Sequence, residues 1–124
     1  MSIQFTTSFR IVTFVPPDHV EAVINAVVAV DPLQYGDDYT QVSWQSTPGV
    51  ERFKSELGAN PTAGAIGEVS EEPSVRLEFS LPFIEDQMEA VVFALLLAHP
   101  WEEPVLYVHL VQEVQGLKKT LKKA

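Results

Sequence analysis

Residues 98–104, AHPWEEP, place an imidazole, an indole and two carboxylates between two prolines. Such residues can do two kinds of chemistry. His99 with Glu102 or Glu103, three or four positions on across a turn, could converge on a divalent cation, a third ligand coming from elsewhere in the chain or from a neighbouring subunit. The same pair could act as general acid and base, although no nucleophile stands beside it. Glu102 and Glu103 are adjacent, so extended backbone would point them to opposite sides and let only one join. A packing role uses every residue as well. His99 would sit in the last turn of a helix, where the carbonyl ends favour a cation and raise its affinity for a proton. Pro100 would stop that helix, Trp101 would cover the core or a sheet edge, and Pro104 would fix the start of a strand. On that view Trp101→Ala costs more stability than His99→Ala.

A second group lies in GANPTAG, residues 58–64. It lacks the GxxxxGK[ST] pattern of a phosphate-binding loop. Asn60 precedes a proline and is biased toward extended backbone, leaving its amide to cap a strand or touch a ligand. Gly58 and Gly64 allow positive φ or close approach. Gly58, Asn60, Pro61, Gly64 and Trp101 are therefore candidate ligand-binding residues, in a pocket between this loop and AHPWEEP that subunits would share. The candidate metal ligands are His99, Glu102 and Glu103. His19, in the first turn of a helix, is expected to be neutral and exposed. His109 should share a strand face with Tyr107 and Val111. Asp37, Asp38, Glu71 and Glu72 lack EF-hand spacing, and Ser43, Ser46 and Thr47 have no evident histidine partner.

The elements that must position these groups are written twice. SFRIVTFVP, residues 8–16, is answered by SVRLEFSLP, residues 74–82, with Arg76 matching Arg10 and Pro82 matching Pro16. A helix follows each. The first has prolines at its start, Asp18 in its first turn, and Val20, Val23, Ile24 and Val27 at helical spacing, with Asp31-Pro32 closing it. In the second helix, Glu89-Ala90-Val91 answers Glu21-Ala22-Val23. DDYTQVSWQS and PVLYVHLVQEV are the strands expected after them. Two right-handed βαβ units with antiparallel outer strands make a ferredoxin-like (split βαβ, βαββαβ) α+β sandwich: a four-stranded antiparallel sheet with two helices on one face. Residues 45–73 form a long excursion with very few large apolar groups, in which a short hairpin is expected, with TAGAIGEV as a weak strand. Phe9/Phe14, Val42/Trp44, Leu77/Phe79 and Leu106/Val108/Leu110 suggest a sheet apolar on both faces, and hence a homo-oligomer.

A chain of 124 residues with 46% apolar types suits one domain, here residues 1–115, followed by a basic tail, residues 116–124, that carries Lys118, Lys119, Lys122 and Lys123. The net charge is −9, but residues 1–117 set four cations against 17 acidic groups, a net of −13. That body repels a phosphate backbone, so no nucleic-acid partner is expected. There is no cysteine, which removes disulfides, thiolate metal sites and thiol nucleophiles and fits a reducing compartment. The N-terminus does not read as a signal peptide, and the longest apolar run, residues 90–98, is too short to span a bilayer. The expected setting is cytoplasmic, with no membrane partner.

Gly58-Ala59-Asn60-Pro61, then Gly64 and Gly67, the Arg76-Leu77-Glu78 strand and AHPWEEP together resemble the inserted domain of the NGG-interacting-factor, or dinuclear-metal-centre, family. YGDDYTQVSWQS is similar to that family's run before the glycine loop, with Val42 where a cysteine is frequent and Trp101 where tyrosine is usual. The likeness covers roughly residues 9–111. It implies a stand-alone insert with a fold akin to CutA and nitrogen-regulatory PII proteins, small ferredoxin-like domains that trimerise through their sheets. It does not bring the family's two-metal centre, which belongs to flanking halves rich in ligands, whereas this chain has only His19, His99 and His109. The expected function is an oligomeric binding module, a trimer, for a divalent cation or small metabolite at an inter-subunit cleft. The alternatives are a small metal-assisted hydrolase using His99 with Glu102 or Glu103, and a purely structural, protein-docking domain.

Overall fold

The computed structural model describes residues 3–115; the lysine tail lies outside them. Strand β1 (Gln4–Val15) leads through a short 3-10 turn at Pro17–His19 into helix α1 (Val20–Val28). Then come β2 (Trp44–Gln45), β3 (Gly49–Lys54), β4 (Val69–Pro82), helix α2 (Glu85–Ala98) and β5 (Leu106–Gln115). The sheet runs β2-β4-β1-β5, with β3 also on β4, and every pairing is antiparallel. This is the ferredoxin-like α+β sandwich, with both helices on one face.

Period-two alternation builds the core. Phe9, Ile11, Thr13 and Val15 of β1 lie opposite Leu81, Phe79, Leu77 and Val75 of β4, and all eight are buried. Val20, Val23 and Val27 of α1 and Val91 and Leu95 of α2 close over them. Helical spacing of valines thus prevails over their weak helix propensity, because burial is worth more than a few tenths of a kcal/mol per residue. Gln87 of α2 ties the helices together by donating to Val30 O at 3.0 Å and Asp31 Oδ2 at 3.1 Å. No helix among the described residues is long and apolar enough to cross a membrane.

The open face is not the apolar sheet expected. Leu77 and Phe79 share the helix side, and so do Leu106, Val108 and Leu110, which pair with Thr13, Ile11 and Phe9. Residues two apart on a strand share a face, so of the sets on paired strands only Phe9/Phe14, five apart, spans both faces. The centre of the open face is charged. Arg10 Nε meets Glu78 at 3.2 Å and Arg10 Nη1 donates to Ser80 Oγ at 3.0 Å, while Arg76 Nε holds the second Glu78 oxygen at 2.8 Å. Burial alone would raise the Glu78 carboxyl, but the hydrogen bonds and charges of Arg10 and Arg76 outweigh it and hold Glu78 below the usual carboxylate range. Trp44 and Tyr107 flank the network, each about half exposed. His109 packs its ring near Tyr107, centroids 6.2 Å apart, on the face expected.

Two sequence expectations are corrected. DDYTQVSWQS contributes only Trp44–Gln45 to the sheet. Positive φ at Leu33 and Gln41 turns the chain back on itself, so Gln41 N–H and Val42 N–H bond to Pro32 and Leu33 carbonyls instead of a strand. The hairpin expected within residues 45–73 forms between β3 and the first half of β4, not on TAGAIGEV. β3 pairs with residues 69–74 of β4 in a ribbon that prolongs the sheet, from Gly49 opposite Ser74 to Lys54 opposite Val69. Pro73 is tolerated there because this half of β4 has a ladder on one side only. TAGAIGEV supplies only the bridge between Ser55 and Ile66 and the first residue of β4.

Gly64 and Gly58 both take positive φ, +78° and +100°. At Gly64 a Cβ would also lie 2.2 Å from Ser70 Oγ, whereas at Gly58 it meets nothing within 4 Å. Gly64→Ala should therefore lower stability by about 1–2 kcal/mol and Gly58→Ala by less, since only the first adds a collision to the backbone strain. Denaturant midpoints of the two variants, measured side by side, check the order.

Candidate functional site

Helix α2 ends at Ala98 because His99 is already extended (φ −72°, ψ 137°) and Pro100 follows. The His99 ring is turned inward and buried. Its Nε2 lies 2.7 Å from Phe14 O, and its Nδ1 lies 3.1 Å from Trp101 N. A carbonyl can only accept and an amide N–H can only donate, so Nε2 carries the proton and Nδ1 accepts. Both nitrogens are committed to the backbone. The expectation of a raised proton affinity is overturned: burial depresses the His99 pKa, the Phe14 carbonyl opposes that, and His19 adds to the depression. Desolvation outweighs the helix end.

The two sequence motifs meet in one chain. Asn60 N–H donates to Glu102 Oε2 at 2.9 Å, and Thr62 Oγ1 donates to Pro100 O at 3.1 Å. Thr13 Oγ1, at the centre of the core, donates to Val105 O at 2.8 Å and pins the far end of the turn. The Trp101 ring leans on Phe53 of β3, centroids 5.6 Å apart and planes at 53°, and on the His99 ring at 5.7 Å. The glycine loop is thereby clamped onto the 99–105 turn.

A groove of about 450 Å³ lies between them. Phe53, Leu57, Pro61, Trp101 and Val105 supply apolar wall; Glu51, Glu56, Glu102 and Glu103 supply acidic wall, with Lys54 the single cation among the lining residues. Lys54 stands 3.5 Å from Glu56. Glu51 accepts from Ser74 Oγ at 2.8 Å, yet burial pushes its carboxyl above the usual range. Glu102 and Glu103 both line the groove, contrary to the one-sided expectation, because residues 101–103 bend and are not extended.

Of the residues singled out by sequence, Gly58, Pro61, Trp101, Glu102 and Glu103 line the groove. Asn60 acts from behind through its backbone N–H, Gly64 packs the loop against Ser70, and His99 supports Trp101 from the core side. Among the described residues no three His, Asp or Glu side chains gather as a metal site. Ser46 is taken up in pairing, its Oγ accepting from Arg76 N–H at 2.9 Å, and His19 is exposed in the 3-10 turn. Glu51, Phe53 and Lys54 were not singled out. VERFK shows no period-two alternation, since Val50 and Phe53 stand three apart within a polar stretch.

No family model matches the chain. It is 33% identical over 112 residues to a GTP cyclohydrolase 1 type 2 homolog of Listeria monocytogenes, covering 90% of this chain but 29% of that protein. The chain thus spans less than a third of the length of the curated relatives it matches. Among solved structures it superposes on a Bacillus cereus protein related to NIF3 with a TM-score of 0.71 at 23% identity, over 90% of this chain and 27% of that one. It superposes on the periplasmic divalent cation tolerance protein CutA of Archaeoglobus fulgidus with a TM-score of 0.60 at 14% identity, over 94% of this chain and 93% of that one.

Proposed function

We propose, from the premise that this chain has the fold shared by NIF3-related, CutA and PII-like proteins, that it is a self-assembling binding module with a small-ligand site in the groove between the glycine loop and the 99–105 turn. The clamp carries this reading: hydrogen bonds from Asn60 and Thr62 join two segments about 40 residues apart in sequence around a shared cavity. Binding is favoured over hydrolysis because the one histidine at the site has both ring nitrogens occupied by backbone partners. A hydrolase would need that imidazole free to take a proton or a metal.

Self-assembly is supported by the surface beyond the helices. Phe5 and Leu110 are each about two-thirds exposed, and Val114 and Phe83 are also exposed near this end of the β1–β5 ribbon. Large exposed apolar groups this numerous favour association, and a trimer joined through the sheets is our assignment.

Native mass spectrometry of untagged protein, purified without chelators, tests both parts. The expected spectrum is a trimer with a co-purified small molecule, or one that takes up a ligand on titration. A bare monomer that captures nothing from a metabolite mixture would overturn the reading. A stoichiometric divalent metal lost on replacing His99 would favour the metal-assisted alternative instead.

A further inference from the structure

We propose that the groove's ligand is a linear polyamine, an alkyl chain bearing two or more ammonium groups. The proposal rests on the binding reading above and narrows it to a ligand class. Charge decides first. The groove presents four carboxylates against the one ammonium of Lys54, which Glu56 already partners. Glu103 makes no hydrogen bond or ion pair with the described residues. A phosphate, nucleotide or carboxylate ligand would face repulsion from every acidic wall. Shape decides next. About 450 Å³ is far more than a single metal ion fills, and no three metal-ligating groups converge among the described residues.

The walls then select among cations. Phe53 and Trp101 pack against each other with tilted rings, centroids 5.6 Å apart, and both line the groove. Ammonium groups are attracted to aromatic faces, most strongly to indole. Leu57 and Val105 supply apolar surface for methylene segments between charges. Glu51 is the half-buried one of the groove's four carboxylates. Its carboxyl is partly removed from water at the groove wall with only a neutral hydroxyl as partner. An arriving cation would compensate the part of that desolvation that the Ser74 hydroxyl leaves unmet. Glu56, Glu102 and Glu103 are exposed at the groove's edge, within reach of a ligand's ammonium groups.

Spermidine is the probe, added to the full-length chain carrying Trp44→Phe so that Trp101 is the sole indole reporting. Saturable quenching or enhancement of Trp101 fluorescence, confirmed by calorimetry, is expected. Glu103→Gln and Glu51→Gln should each weaken it about two- to fivefold, and Phe53→Leu should weaken it by a similar factor. Melting temperatures of the three variants serve as the folding control. AMP and magnesium chloride should give no signal at Trp101. Spermidine binding that is indifferent to all three substitutions would reflect diffuse attraction to an acidic body and would overturn the proposal. Absence of spermidine binding, with AMP or another anion titrating Trp101, would overturn the polyamine assignment while leaving the groove a binding site. Absence of any ligand response at Trp101 would overturn both readings.

Discussion

His99→Ala should lower unfolding stability by about 3–5 kcal/mol at neutral pH, more than Trp101→Ala. The substitution strands the Phe14 carbonyl and the Trp101 N–H, each otherwise satisfied by a ring nitrogen. An unsatisfied buried polar group costs about 1–3 kcal/mol, and the vacated ring volume adds a cavity. Trp101 is only half-buried, at the rim of the groove, so its removal forfeits less packing than the sequence suggested. Equilibrium urea unfolding of both variants gives the order directly. Equal midpoints, or a costlier Trp101→Ala, would show that the His99 hydrogen bonds contribute little.

The same ring predicts a pH dependence. Its folded pKa is depressed by burial below the ordinary value of about 6.5. The unfolded chain therefore binds the proton more readily, and stability rises with pH in this window. The contribution of neutral His99 is fully present above about pH 6.5 and is lost as pH falls from there toward the depressed folded value. Protonated Nδ1 would point a hydrogen at the Trp101 N–H, so the turn that walls the groove loosens first. Stability of the wild type should fall between pH 7 and 5 more steeply than that of His99→Ala. Glu51 acts with the opposite sign: a raised carboxyl pKa costs stability as pH rises through it. Glu51→Gln should thus be neutral to stabilising at pH 7 even as it weakens cation binding.

Phe79→Ala is the second large effect, expected at about 3–5 kcal/mol. Phe79 is 1% exposed on a central strand, opposite Ile11 and beneath the helices. A loss of that size is a large share of the roughly 5–15 kcal/mol that holds a domain together. Thermal unfolding should show a greatly lowered midpoint without loss of two-state shape. Substitution at Phe93, which is 65% exposed on α2, should leave the midpoint almost unmoved by comparison.

The legible parts of this molecule are those governed by local repeats. Arg10 and Arg76, Pro16 and Pro82, and the two valine- and leucine-rich helices marked a doubled βαβ unit, because alternation and helical spacing are properties of neighbouring residues. The site was half legible. Gly58, Pro61, Trp101, Glu102 and Glu103 stood out by type, and all five line the groove. Glu51 and Phe53 did not stand out, because their importance comes from a strand pairing that carries them to the groove.

By itself the sequence determined the fold class, the acidic character of the body, and the punctuation of AHPWEEP that ends α2 and starts β5. Only the tertiary structure decided what that punctuation is for. Burial at the end of α2 made His99 a neutral bridge between β1 and Trp101, overriding the helix end that favours a cation. The Asn60–Glu102 and Thr62–Pro100 bonds turned two distant motifs into one cavity. Desolvation and long-range hydrogen bonding depend on which segments meet, and no short stretch of sequence records that.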